Sequence, residues 1–221
     1  MRRVLIYCED SAELGLHSLL DAYRPELDAA DLAVPRPQTT AGAGNMKRHI
    51  GQFVQHAIED GDAAVMCLID LYNAPFDFPK RTRSVGQRVK WMRDELRRLV
   101  PRQWRGHLYP HVVIHDLEAW MLADDGPLRS RLGNDVGPWE QPEHINLQRP
   151  PSALIGELFR TRLRKTYGKV KDGTFLLKQA SSETVYRKCP SFRYVVNDLR
   201  HIAGIDHDAD ECLSCTPTLY G

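Results

Sequence analysis

Three apolar runs in this sequence stop at acidic residues. Glu9 follows RRVLIYC (Arg2 to Cys8), Asp70 closes AAVMCLID (Ala63 to Asp70), and Asp116 and Glu118 follow HLYPHVVI (His107 to Ile114). In an open parallel sheet, ligands sit outside the carboxyl ends of the strands, so acids that close different strands can converge there. Clustered carboxylates repel one another unless a cation neutralises them, and their hard oxygens suit Mg²⁺ or Mn²⁺. A metal held in this way can orient a phosphodiester and activate water. Helices that follow strands also recruit acids as N-caps and first-turn residues, and that bland reading stays open here. Asp116 and Glu118 are two apart, so on a helix they point about 200° from each other and only one can face a crevice.

Other residues add weaker signals. His115 can ligate a metal, orient water or carry a proton, although a satisfied histidine at a strand end is commonplace. Lys169 and Lys171 lie in the glycine-flanked stretch YGKVKDG, where a lysine can neutralise a phosphate or simply be solvated. From Lys80 to Arg105 the chain is basic apart from Asp94 and Glu95, a pattern that fits a phosphate-tracking helix or a solvated face. GAGNMK lacks the Gly-Lys-Ser/Thr ending of a Walker-type loop. Cys212 and Cys215 form one CxxC with no second pair evident; His207 and Asp208 are near but irregularly spaced, so neither zinc nor thioredoxin-like chemistry is predicted.

The elements that must position these residues follow a strand, helix, strand rhythm. A buried strand over Arg2 to Cys8 is followed by a helix capped at Ser11, with Leu14, Leu16, Leu19, Leu20 and Tyr23 on one face until Pro25. DLAVPRP is a weak second strand, and a helix runs from about Met46 to Glu59. The unbroken apolar run at Ala63 to Asp70 is what a central parallel strand covered on both faces requires. Val85 to Val100 is helical, Pro110 marks the strand after it as an edge or bulge, and HDLEAWMLAD starts a helix at once. This is the α/β pattern of a parallel sheet flanked by helices. Beyond Asp125 the chain becomes helical and loop-rich, which divides it into an α/β core (1–125), a helical extension packed on it (126–205) and an irregular, loosely docked tail (206–221).

Composition bounds the function. With 221 residues, 42% hydrophobic and 27% charged, the chain can bury a sizeable core, and 30 basic against 29 acidic side chains leave no global positive field. No segment approaches a membrane span, the apolar run at the N-terminus is too short for a signal peptide, and five irregularly spaced cysteines do not form a disulfide framework. No membrane partner and a cytoplasmic location are therefore predicted.

In their order along the chain, YCEDSAE, LIDLYNAPFDFP, HVVIHDLEAWMLAD, QPEHIN, YGKVKDG and KCPSF resemble a bacterial Toprim-like family catalogued as domain of unknown function four-two-seven-six. The resemblance runs from about Arg3 to Ile202. It implies a Toprim-like fold with Mg²⁺ or Mn²⁺ and no organic cofactor. Glu9 matches the Toprim glutamate, a general acid/base and metal ligand, and Asp70 matches the first aspartate of the Asp-x-Asp pair. Tyr72 stands where the second aspartate would be, and Asp10 replaces the usual glycine; Glu13 and Asp116 or Glu118 are the residues able to restore missing ligands. Catalytic roles are expected for Glu9, Asp70, Glu118, His115 and Lys169. The implied activity is a metal-dependent nuclease acting on DNA or RNA, an effector beside an AAA or ABC-type ATPase in bacterial anti-phage defence. The alternative is a catalytically silent Toprim-like subunit that binds a partner protein or nucleic acid. A flavodoxin-like small-molecule binder lacks a phosphate loop and ranks last.

Overall fold

The computed structural model describes residues 1–9, 13–71, 75–79, 82, 84–113, 117–144 and 150–213, with the side chains of Glu13, Leu14 and His144 left out of the description. Ser11, Tyr72, His115, Asp116 and Cys215 therefore lie outside the described residues.

Among the described residues, five strands form one parallel sheet: β1 (Arg2–Cys8), β2 (Leu32–Ala33), β3 (Gln38–Thr39), β4 (Ala64–Asp70) and β5 (Leu108–Val113). The order is β2-β1-β4-β5, with β3 also paired to β1. The DLAVPRP strand is thus reduced to β2, and β3 follows just after it. β2 pairs with the start of β1 and β3 with its end, because Pro35 and Pro37 between them cannot donate to a ladder. β4 is buried along its whole length, as its unbroken apolar run demands. Pro110 sits in β5 opposite Cys67. Among the described residues β5 is an edge of the sheet, where a missing N–H costs least.

Side chains alternate across β4. Val65, Cys67 and Ile69 meet α3 (Ala43–Glu59) and α4 (Val85–Arg98) on one face, in a cluster with Met46, Ile50, Val54, Met92 and Leu96. Ala64, Met66 and Leu68 meet the other helices on the opposite face, among them α1 (Glu13–Leu20), α2 (Arg24–Ala29) and α5 (Glu118–Ala123). That second cluster also takes in residues of α6 (Gly126–Leu132), α7 (Pro151–Leu163), α8 (Thr174–Gln179), α9 (Ser182–Lys188) and α10 (Pro190–Ala203). The helical extension and the sheet therefore share one core. This is the parallel sheet flanked by helices, with a mainly helical C-terminal part, that the sequence predicts.

Local chemistry explains most boundaries. Ser84 and Gln87 form a reciprocal capping box at the start of α4. Pro25 starts α2 instead of ending a long helix: a 3₁₀ turn over Asp21–Tyr23 follows α1, and proline is well suited to a first helical turn.

The tail departs from expectation. Cys212 and Leu213 are buried, Asn197 of α10 donates to the Glu211 carbonyl (3.0 Å), and Arg93 of α4 donates to the Leu213 carbonyl (3.2 Å). The chain up to Leu213 is docked by these polar contacts, which hydrophobic periodicity does not report. Arg93 is itself buried, so it belongs to the fold and not to an exposed basic face.

The packing of α1 on α8 is especially close. A Cβ built at Gly15 would lie 2.5 Å from both Cβ and Cδ1 of Leu177. Gly15→Ala should therefore destabilise the protein by about 1–3 kcal/mol through overpacking, despite alanine's better helix propensity. Urea unfolding measures this, and a more stable variant would show that the two helices can separate at little cost.

Candidate active site at the strand ends

The register of β1 on β4 brings the first two acids together. Cys8 pairs with Leu68, so Glu9 emerges beside the end of β4. There Glu9 Oε2 accepts the backbone N–H of Asp70 at 3.3 Å. The Glu9 main chain is held as well, because the Gly42 N–H donates to its carbonyl at 2.6 Å. Gly42 has φ +113°, a conformation that favours glycine, and Thr40 anchors the same loop by donating both N–H and Oγ1–H to the Cys8 carbonyl. The loop TTAGAGN, unremarkable as a motif, is thus the support under Glu9.

Asp70 pairs with Val113 of β5, and the Leu71 N–H donates to the Val113 carbonyl at 2.9 Å, so the ladder runs past the acid. Alternation puts Asp70 on the face of Leu68 and Val113, the face that α5 covers. Its side chain is largely buried.

Glu118 opens α5 and is fully buried. Its Oε1 accepts a hydrogen bond from the Tyr167 hydroxyl (3.2 Å), which reaches in from the end of the extension. Tyr167 was not singled out by sequence reading, although it begins the YGKVKDG motif. Lys169 and Lys171 lie in a π-helical turn, Lys169–Gly173, with Lys169 half-buried and Lys171 exposed. A Cβ at Gly173 would approach the Tyr167 hydroxyl to 2.7 Å, so this glycine makes room for the tyrosine. Glu13 lies in the first turn of α1; His115 and Asp116 fall outside the described residues.

The family model described as Domain of unknown function (DUF4276) matches residues 11–200. The chain belongs to that family. Two solved structures are similar to it. The C-terminal region of the Burkholderia pseudomallei OLD protein is 14% identical with a TM-score of 0.48, covering 92% of this chain and 99% of that one. The C-terminal region of the Xanthomonas campestris pv. campestris OLD protein is 14% identical with a TM-score of 0.45, covering 92% and 97%. Among curated proteins, none matches.

In this DUF4276 chain the segments HDLEAW, QPEHIN and KCPSF meet in one buried cluster. Trp120 Nε1 donates to Glu143 Oε1 (3.1 Å) and to Ser191 Oγ (2.9 Å), and the Ser191 N–H donates to Glu143 Oε2 (3.1 Å). The Ser191 hydroxyl also donates to Glu143. Burying a carboxylate is tolerable only with donors of this kind around it. These segments thus lock α5, and with it Glu118, onto α10. YGKVKDG contributes a second lock. Asp172 is buried, and its carboxylate accepts from Arg131 (2.7 Å), Lys165 (2.9 Å) and the Gly168 N–H (2.9 Å).

Burial alone would raise the Asp172 carboxyl, but the Gly168 N–H, Lys165 and Arg131 together outweigh it and hold the group below the ordinary carboxylate range. A depressed carboxyl contributes stability that is present above its unfolded pKa, about 3.9 for aspartate, and is lost as pH falls through the folded value. Asp172→Asn should lower the melting temperature at neutral pH and shrink its decline on acidification. An equal acid decline in wild type and variant, read by thermal denaturation at several pH values, would remove this carboxylate from the stability balance.

Proposed function

We propose that this protein is a divalent-metal-dependent nuclease of Toprim type that cleaves phosphodiesters of DNA or RNA. The observation that carries the reading is the contact of the Glu9 carboxylate with the Asp70 N–H at the ends of two adjacent parallel strands. The side chains of these two residues are carboxylates, hard oxygen donors of the kind that suits Mg²⁺ or Mn²⁺. Glu9 and Asp70 would hold the ion, with Glu13, Asp116 and Glu118 as further ligands. The ion would supply Lewis acidity toward the phosphate and a lowered pKa for attacking water.

The chain's own residues account for the remaining steps. Glu9, fixed at side chain and main chain, accepts the proton of the attacking water. Asp70 keeps that carboxylate in register through its N–H. Glu118, oriented by Tyr167, lines the same face, and Lys169 in the π-helical turn neutralises phosphate charge as it develops. His115 carries a proton to or from the leaving oxygen. The exposed basic residues Lys90, Arg98, Arg102 and Arg105 offer phosphate contacts. An AAA or ABC-type ATPase partner and a role in anti-phage defence belong to this proposal through the family resemblance. No helix among the described residues is long and apolar enough to cross a membrane.

The silent-subunit reading has one observation in its favour. Glu118 is wholly buried and bonded within the fold, as a structural carboxylate would be.

Asp70→Asn keeps shape and hydrogen bonding but removes a charge. Losing a metal ligand raises the barrier by several kcal/mol, so Mn²⁺-dependent cleavage should drop by about a thousandfold or more while melting temperature and nucleic-acid binding hold. Cleavage of labelled DNA and RNA, with and without an ATPase encoded nearby, is the measurement. A wild type that cuts nothing in either case, or an Asp70→Asn that cuts equally well, would replace the nuclease with the silent binding subunit.

A further inference from the structure

A second set of potential metal ligands lies far along the chain from the strand-end acids. His201 is in the last turn of α10, His207 is in the segment after the Gly204 cap, and Cys212 follows a 3₁₀ turn over Ala209–Glu211. One ligand atom from each can be chosen so that all three lie within 4.8 Å of one another. Tetrahedral zinc, with bonds of about 2.0–2.3 Å to nitrogen and sulfur, needs ligand atoms roughly 3.3–3.8 Å apart, a small contraction from that limit.

The surroundings suit a metal. His207 Nδ1 lies 2.9 Å from the Ile205 carbonyl. A carbonyl only accepts, so Nδ1 carries the hydrogen and the ligating lone pair is on Nε2, the arrangement by which metal-bound histidines are commonly oriented. The two imidazoles stand 5.4 Å apart at 80°, as ligands directed at one point from different elements do. Cys212 is fully buried, with its thiol 3.1 Å from Asp198 Oδ1, and Asp198 Oδ2 lies 3.1 Å from His111 Nε2. Ile202 and Ile205 pack against the core, but the stretch just before Cys212 carries four acids, Asp206, Asp208, Asp210 and Glu211. A cation would offset that charge and hold the segment, as metals do where a core is too small.

We infer that His201, His207 and Cys212 form a zinc site that fastens the chain after α10 back onto the fold. One thiolate and two neutral imidazoles would supply three of the four donors of tetrahedral zinc. The nitrogen and sulfur donors separate this site from the oxygen donors of the strand ends, which favour Mg²⁺ or Mn²⁺.

Cobalt(II) reports the site directly, since thiolate ligation gives a charge-transfer absorption that carboxylates do not. The full chain, reduced and stripped with chelator, should bind one cobalt per chain with that absorption, keep it in excess Mg²⁺, and release it to zinc. Because buried Cys212→Ser risks losing the fold, exposed His201→Ala is the variant, checked by circular dichroism; its cobalt affinity should fall by about tenfold or more. No stoichiometric charge-transfer band in wild type, or a folded His201→Ala with unchanged affinity and spectrum, would leave the cluster as hydrogen bonding only and overturn the site.

Discussion

The parallel pairing of β1 with β4 is the constraint on which the candidate site depends. It runs from Val4 opposite Ala64 to Cys8 opposite Leu68, and its last consequence is the Asp70 N–H donated to Glu9. A shift of one residue would turn every β4 side chain to the other face of the sheet. Val65, Cys67 and Ile69 would then leave the cluster with α3 and α4, and Asp70 would leave the face of α5. Hydrophobic burial on two faces thus fixes the register, and the register places the acids.

The helical extension shares an apolar core with that sheet, and buried polar contacts add to its hold. Glu118, Glu143, Asp172 and Asp198 are all buried carboxylates, and each is met by donors from an element distant in sequence. Removing a partner from such a group is expensive, so these contacts specify one arrangement of α5, α7, α8 and α10 more sharply than apolar packing does alone. The same cost gives the motifs of the family resemblance a structural meaning. HDLEAW, QPEHIN and KCPSF converge on Trp120, Glu143 and Ser191, and YGKVKDG supplies Tyr167 to Glu118 and Asp172 to its own lock.

Some residues change role once the fold is seen. Arg93, one charge in a basic run, is spent on the Leu213 carbonyl. Tyr167 and His201 carried no signal in isolation, since a tyrosine in a turn and a histidine at the end of a helix are ordinary. Each matters through a partner about 50 residues away or across a reversal of the chain.

The sequence by itself determined the α/β class, the strands β1, β4 and β5, the helices α3 and α4, and the acids at the strand ends. These follow from local rules: uninterrupted apolar runs, helical periodicity, and side chains that stop a strand. It also carried the family, through short segments in a set order. Only the tertiary structure decided that DLAVPRP keeps a two-residue strand with a second one just after it, that Glu9 contacts the end of β4, that the invisible partners of Glu118 and Asp172 come from the extension, and that the chain docks as far as Leu213. Those outcomes depend on hydrogen bonds between residues remote in sequence, and a buried donor and acceptor leave no period or spacing by which either could find the other before the chain has folded.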